Sequence, residues 1–177
     1  MSELVSNTPV APRRDAWADA AFEWWQTLTE QDGKRSGPNL RGDRAELRRA
    51  REAADVYANP SFHALLRRLG ANATADDRLA RAAAVLAAIL ARVERHQDGG
   101  FARQAAAGED GPNLSELRFR RLLQKQTAEE LQGDLGRALH VLDKTADVRD
   151  LARSILRWND ETRRRWAFDY FQYAKLG

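Results

Sequence analysis

The chain contains no cysteine. Disulfides, thiolate metal sites and cysteine nucleophiles are therefore excluded, and a reducing cytoplasm is the expected compartment. No stretch approaches the roughly 18 consecutive apolar residues of a membrane-spanning helix, so no membrane is expected among its partners. The start, Met1 to Pro12, has no basic segment leading into an apolar run, and no signal peptide is expected. Its three histidines, His63, His96 and His140, stand far apart, without the paired spacing of a helical metal site. No glycine-rich phosphate loop of the Walker or dinucleotide type is present, since Gly133 and Gly136 fall inside an expected helix. The acidic pairs Asp76/Asp77 and Glu129/Glu130 fall in first helical turns, where carboxylates complement the helix dipole. These absences argue against an enzyme and imply neither a metal nor a cofactor. Sustained two-residue alternation bounded by hairpin turns is also missing, which argues against a sheet.

What the chain does have is arginine. Of its 29 basic side chains, 25 are arginine, the exceptions being Lys34, Lys125, Lys144 and Lys175. Net charge is only +3, so placement matters more than total. With 177 residues, 43% of them hydrophobic and 31% charged, the chain is long enough to bury a sizeable core.

Apolar spacing predicts an all-α protein, about eight helices in a compact two-lobed bundle with no sheet. Residues 1–14 read as a loose N-terminal arm. A first half over 15–95 begins with a helix to about Gln31 that carries Trp17, Ala21, Trp24 and Leu28. A charged, glycine-containing loop with Lys34 and Arg35 follows, then an arginine helix over about 42–55. Asn59-Pro60 starts the next, since asparagine caps and proline suits the first turn, and Gly70 ends it. Thr74-Ala-Asp-Asp77 opens a helix running to about Arg95, apolar enough to be the central one. Residues 96–113, with Gly99, Gly100, Gly108, Gly111 and Pro112, read as a hinge loop. The second half, 114–177, holds helices over about 115–125, from a capping box at Thr127-Ala-Glu-Glu130, over 147–158, and over 159–174. The five tryptophans fit apolar helix faces and read as core rather than as base-stacking platforms.

Two arginine-dense segments each adjoin an apolar stripe: Arg41-Gly-Asp-Arg-Ala-Glu-Leu-Arg-Arg-Ala-Arg51 and Leu114-Ser-Glu-Leu-Arg-Phe-Arg-Arg-Leu-Leu123. At about 100° per residue Arg44, Arg48 and Arg51 form one line and Leu47, Ala50 and Ala54 the next. Packed stems then hold charged heads in fixed places, and the guanidinium fork matches phosphate oxygens. Further basic groups stand at Arg137 and Arg163–Arg165. Taken one at a time, these arginines also read as solvated faces paired with Asp43, Glu46, Glu52, Glu116 or Glu161. Taken as clusters they favour backbone binding. No expected helix carries asparagine or glutamine at base-reading positions, so sequence-specific recognition is not implied.

The segments Trp24-Trp25-Gln-Thr-Leu28, Gly42-Asp-Arg-Ala-Glu-Leu-Arg-Arg-Ala50 and Asn59-Pro-Ser-Phe-His-Ala-Leu-Leu66 resemble the CasB family. So do Arg95-His-Gln-Asp98, Leu114 to Leu123 and Arg163-Arg-Arg-Trp-Ala-Phe-Asp-Tyr170. The likeness runs in order from about residue 17 to 173. CasB is the small subunit of Cascade, the type I-E CRISPR surveillance complex of antiviral defence. The resemblance implies a non-catalytic helical subunit, present as two copies beside the backbone and large subunits. Its implied ligands are crRNA and the displaced single-stranded DNA of the R-loop. Arg48 and Arg49 match the family's double-basic position, Arg118 a basic position in the second arginine helix, and Arg137 one in the helix after it. Helix geometry adds Arg44 and Arg121 as nucleic-acid-binding candidates. Near Arg163 the family is also basic, but Asp160 and Glu161 depart from that pattern. Two other readings remain: a helical adaptor for acidic protein partners, and a helix-turn-helix DNA-binding regulator.

Overall fold

A computed structural model describes residues 14–30, 39–70 and 75–175. Residues 1–13 of the arm expected over 1–14, the cap residue Thr74 and the Lys34/Arg35 group lie outside them, and Arg14 begins the first helix. Nine α-helices are present among the described residues: α1 (Arg14–Thr29), α2 (Leu40–Arg49), α3 (Pro60–Leu69), α4 (Asp77–Leu90), α5 (Phe101–Ala106), α6 (Glu116–Leu123), α7 (Ala128–Val141), α8 (Val148–Leu156) and α9 (Asp160–Tyr173). The protein is all-α, as its periodicity predicts.

Helix α4 is the centre. Ten of its residues are buried, from Leu79 to Leu90, and α2, α3, α7 and α8 all pack against it. Alanine dominates its sequence, which gives high helix propensity and lets several neighbours approach closely. Helix α1 lies across α3 and α8, while α9 rests on α5 and α6. One hydrophobic cluster runs from Ala21 through α4 to Tyr170. Of the five tryptophans, Trp24, Trp25, Trp158 and Trp166 are buried in it.

The expected cap residues Asn59 and Thr127 are both in place, while Asp76 caps α4. Asn59 Oδ1 accepts from the amides of Ser61 and Phe62, and its Nδ2 donates to the Asp43 carbonyl and to Glu46 Oε2. Asn59 is 2% exposed, so this one side chain both starts α3 and fixes it against α2. Asn59→Ala is expected to lower unfolding free energy by about 2 kcal/mol, the loss of a cap plus unpaired buried groups. Denaturant unfolding checks this; a loss within the error of extrapolation would show that the cap is dispensable. Thr127 accepts from the Glu130 amide, and Glu130 reaches back to the Gln126 amide rather than to that of Thr127.

Three expectations need correction. The sheet-free reading misses a two-residue parallel pair, Arg95–His96 (β1) with Thr145–Ala146 (β2), which joins the segment after α4 to the segment before α8. The first arginine helix does not reach residue 55. It ends at Arg49, because Asp55 Oδ2 takes the amides of Arg51 and Glu52 and closes a separate 3-10 turn at Ala53–Asp55. Buried Gln132 of α7 donates to the Ala50 carbonyl and holds that break in place. The expected hinge, 96–113, contains α5, whose Phe101, Ala102, Ala105 and Ala106 are all buried. Asp147 Oδ2 accepts from the amides of Gly99 and Gly100, and Asp150 Oδ2 from that of Phe101, so two buried carboxylates at the start of α8 cap α5.

Candidate nucleic-acid interface

The arginine-bearing faces are set by what their helices bury. In α2, Leu47 is buried, which leaves Arg48 and Arg49 exposed at the helix's last turn. In α6, Phe119 and Leu122 face the core, and Arg118 and Arg121 stand on the adjoining exposed face. In α7, Leu131, Leu135, Ala138 and Leu139 point inward, so Gly133, Gly136, Arg137 and His140 follow one another along its outer edge.

These three edges enclose two adjoining concavities. The larger, about 790 Å³, is lined by Arg51, Arg92, Arg118, Arg121 and Arg137 over an apolar floor that includes Leu114 and Ala138. The smaller, about 410 Å³, is lined by Arg48, Arg49, Arg92 and Lys144. Both share Arg92, Gly136 and His140. Five of the six candidate arginines, Arg48, Arg49, Arg118, Arg121 and Arg137, thus come together along one trough.

Arg44 does not join them. Its Nε donates to the Ala91 carbonyl at 3.0 Å and its NH2 to the Val93 carbonyl at 3.2 Å. Burial, with Arg48 close by, pushes its pKa down. This guanidinium ties α2 to the end of α4. The basic run Arg163–Arg165 is also partly structural. Arg165 donates to buried Asp150 and to Ser154, and Arg163 to the Lys125 carbonyl and to Asp160.

Counter-charge within the trough is sparse. Asp134 is the acidic residue in its lining, and it pairs with Arg137 and, at 3.1 Å, with Lys125. Burial alone would raise the pKa of Asp134; the hydrogen bonds from Arg137 and Lys125 outweigh it and bring it below the ordinary value. Glu94 is held low chiefly by its hydrogen bond from Lys144, at 2.8 Å. Among the described residues, Arg48, Arg49, Arg92, Arg118 and Arg121 have no carboxylate ion-pair partner. The pKa of Arg92 is lowered first by burial and then by the nearby charge of Arg48, while Arg48 and Arg44 add to the pull of Lys144 on Glu94.

Arg92, Lys144 and His140 are not among the nucleic-acid-binding candidates read from the sequence. Lys144 reaches the trough because Asp143 and Lys144 both adopt left-handed backbone, φ 52° and 55°, as the chain reverses out of α7. Arg92 did leave a signal. It is the lone charged side chain in the stretch 82–93, where a fully buried helix end would be apolar.

Elsewhere, among the described residues, His96, Asp98 and Asp147 bring three potential metal-ligand atoms within 4.8 Å of one another. Hydrogen bonds account for that grouping. His96 Nδ1 accepts from the Val148 amide, its Nε2 faces Asp98 at 2.9 Å, and Asp147 accepts from three backbone amides.

The family model for CRISPR-associated protein Cse2 matches residues 43–171. No curated protein matches the chain. Among solved structures, a chain in the crystal structure of E. coli Cascade bound to a PAM-containing dsDNA target shares the fold, with a TM-score of 0.63 and 23% identity. The match covers 86% of this chain and 95% of that one. The helical fold, the order of the basic segments and the extent of the family match agree: this chain belongs to the Cse2 family of CRISPR-associated proteins, the family its sequence resembles under the name CasB.

Proposed function

We propose that this chain is the non-catalytic small subunit of a type I-E Cascade ribonucleoprotein, and that its arginine trough holds nucleic-acid backbone without reading sequence. Its ligands are crRNA and the displaced single strand of the R-loop. Its protein partners are the backbone and large subunits and a second copy of itself, in the cytoplasm. The observation carrying this reading is the convergence of Arg48, Arg49, Arg118, Arg121 and Arg137 from three helices on adjoining concavities whose cations largely lack counter-charge.

The physical logic is economical. Base pairing by the guide supplies sequence recognition, so the protein needs only a charged channel for the remaining strand. Exchange of a DNA duplex for a heteroduplex is nearly balanced in free energy, and a few phosphate contacts tip it. Arginine suits that task because its fork stays charged and engages two phosphate oxygens.

The test is the salt dependence of binding to a labelled single-stranded oligonucleotide. Neutralising about four phosphates should give a log–log slope near −3. A slope close to zero, with tighter binding to an acidic protein surface, would transfer the trough to the adaptor reading. A palindromic duplex bound far above random sequence would favour the regulator.

Asp134→Asn provides a second check. It releases Arg137 and Lys125 from their shared carboxylate and is expected to tighten strand binding about fivefold, the effect of roughly half a kcal/mol for each of the two freed cations. Because the folded-state pKa of Asp134 is depressed, its ion pairs contribute stability above the unfolded value, near pH 4. That contribution is lost as pH falls through the folded value. In the D134N variant this acid-side loss should disappear from a thermal-midpoint-versus-pH profile taken below about pH 4.

A further inference from the structure

The two concavities meet at a neck formed by Arg92, Gly136 and His140. There the Nε of Arg92 is buried and has no hydrogen-bond partner. An arginine N–H withdrawn from water without an acceptor is unfavourable unless something brings one. Arg92 follows α4 in the interior of the protein, and the apolar residues on either side, Ala91 and Val93, are both fully buried, so its position is fixed by the core rather than by the surface. Arg48 lies close enough to lower its pKa.

Residue 136, in the neck, is glycine. A Cβ there would sit 3.6 Å from Arg92 Cζ and 3.7 Å from its Nε and NH1. Those are ordinary contact distances, so the fold has room for a side chain at 136. Helix interiors favour almost any residue over glycine, and neither a tight turn nor positive φ requires one here. Glycine at this place leaves the helix face beside the guanidinium without a side chain, at the cost of helix propensity.

We propose that this neck is a subsite for a single phosphodiester group, anchored by Arg92 with Arg48 and Arg49 beside it, and that glycine at position 136 keeps it accessible. The inference rests on the trough being a nucleic-acid interface. It adds the fixed point at which the strand passes from the α6–α7 concavity to the α2–α7 one. A phosphodiester fits better than an isolated carboxylate because the cationic lining continues on both sides, which matches a polyanion of regular charge spacing.

The experiment uses the full-length chain and a fluorescein-labelled oligothymidylate, with anisotropy read over a salt series and thermal midpoints read by circular dichroism. Arg92→Gln is expected to weaken binding about tenfold, the scale of one charge-assisted hydrogen-bonding group. It should also flatten the log–log slope by about 0.7, one single-strand phosphate contact. Arg92→Lys should restore the slope but only part of the affinity, since lysine keeps the charge without the fork. Gly136→Leu should weaken binding by about tenfold, comparable to loss of the anchor it covers, while leaving the midpoint unchanged or higher. If all three variants bind like the parent while Arg118→Glu binds weakly, the subsite is wrong and the trough stands. If the parent chain itself does not bind the strand, both fall together. Displacement of the oligonucleotide by polyglutamate at equal charge concentration would also overturn the phosphate assignment.

Discussion

Replacing Arg48, Arg49, Arg118 and Arg121 together by glutamate is expected to abolish measurable single-strand binding while leaving the protein folded. Each of these guanidiniums is exposed and free of carboxylate ion pairs among the described residues, so each surface change should alter stability by no more than about 0.5 kcal/mol. An exposed charge-assisted phosphate contact contributes about 1 kcal/mol, and reversal adds repulsion of similar size. Four lost contacts alone amount to about 4 kcal/mol, a loss of about a thousandfold in affinity, and the repulsion deepens it further. Anisotropy at low salt measures the affinity, and circular dichroism verifies the helices. Retained binding with intact helicity would remove the trough from consideration. Arg165→Ala is the instructive contrast. Arg165 donates to Asp150, whose side chain is only 3% exposed, so its loss should reduce stability by leaving a buried carboxylate underpaired and should leave strand binding alone.

The contrast between Arg165 and Arg118 shows why clustering in a sequence does not by itself make a site. Arg163–Arg165 look as basic as Arg118–Arg121, yet two of the three are engaged by the fold. The deciding fact is which face each helix buries, and that depends on neighbours distant in sequence. Periodicity gave the stripes of α2, α6 and α7 correctly because Leu47, Phe119, Leu122, Leu131 and Leu135 recur at helical spacing. It extended α2 too far because the break at Ala50 comes from Asp55 and from Gln132, the latter 82 residues away. That error placed Arg44, Arg48 and Arg51 in one line. In the structure Arg44 turns to the Ala91 and Val93 carbonyls and Arg51 belongs to the next segment. Helix α5 escaped notice for a related reason: six residues are too few for a periodic signal, and its flanking glycines read as a loop. It persists because Asp147 and Asp150 at the start of α8 supply its caps, a tertiary contribution that short helices need. Arg92 was hidden inside the most apolar stretch of the chain, where one charge looks like the end of a helix rather than the floor of a groove.

Trp166→Ala is expected to be the most destabilising single change. The indole is fully buried and packs on Phe101 at 4.7 Å, on Trp158 edge-on at 5.0 Å and on Phe119 at 6.3 Å between ring centres. Its Nε1 donates to Ser154 Oγ at 3.0 Å. Truncation removes the largest side chain from the junction of α5, α6, α8 and α9 and leaves a cavity none of those helices can close alone. Such a loss costs about 4 kcal/mol, which for a chain of this length lowers the thermal midpoint by roughly 8–16 °C. Trp166→Phe, which keeps most of the volume and forfeits the hydrogen bond, should lose less than half of that. The consequence for the trough follows from position. Phe119 carries α6 against Trp166 and stacks on Tyr170 at 4.0 Å, so a loosened junction lets Arg118 and Arg121 drift relative to Arg137 on α7. Strand affinity should therefore fall several-fold in the alanine variant even well below its midpoint, with the salt slope reduced because fewer phosphates are met at once. An alanine variant that loses its stability yet binds with unchanged slope would show that α6 holds its register through α7 alone.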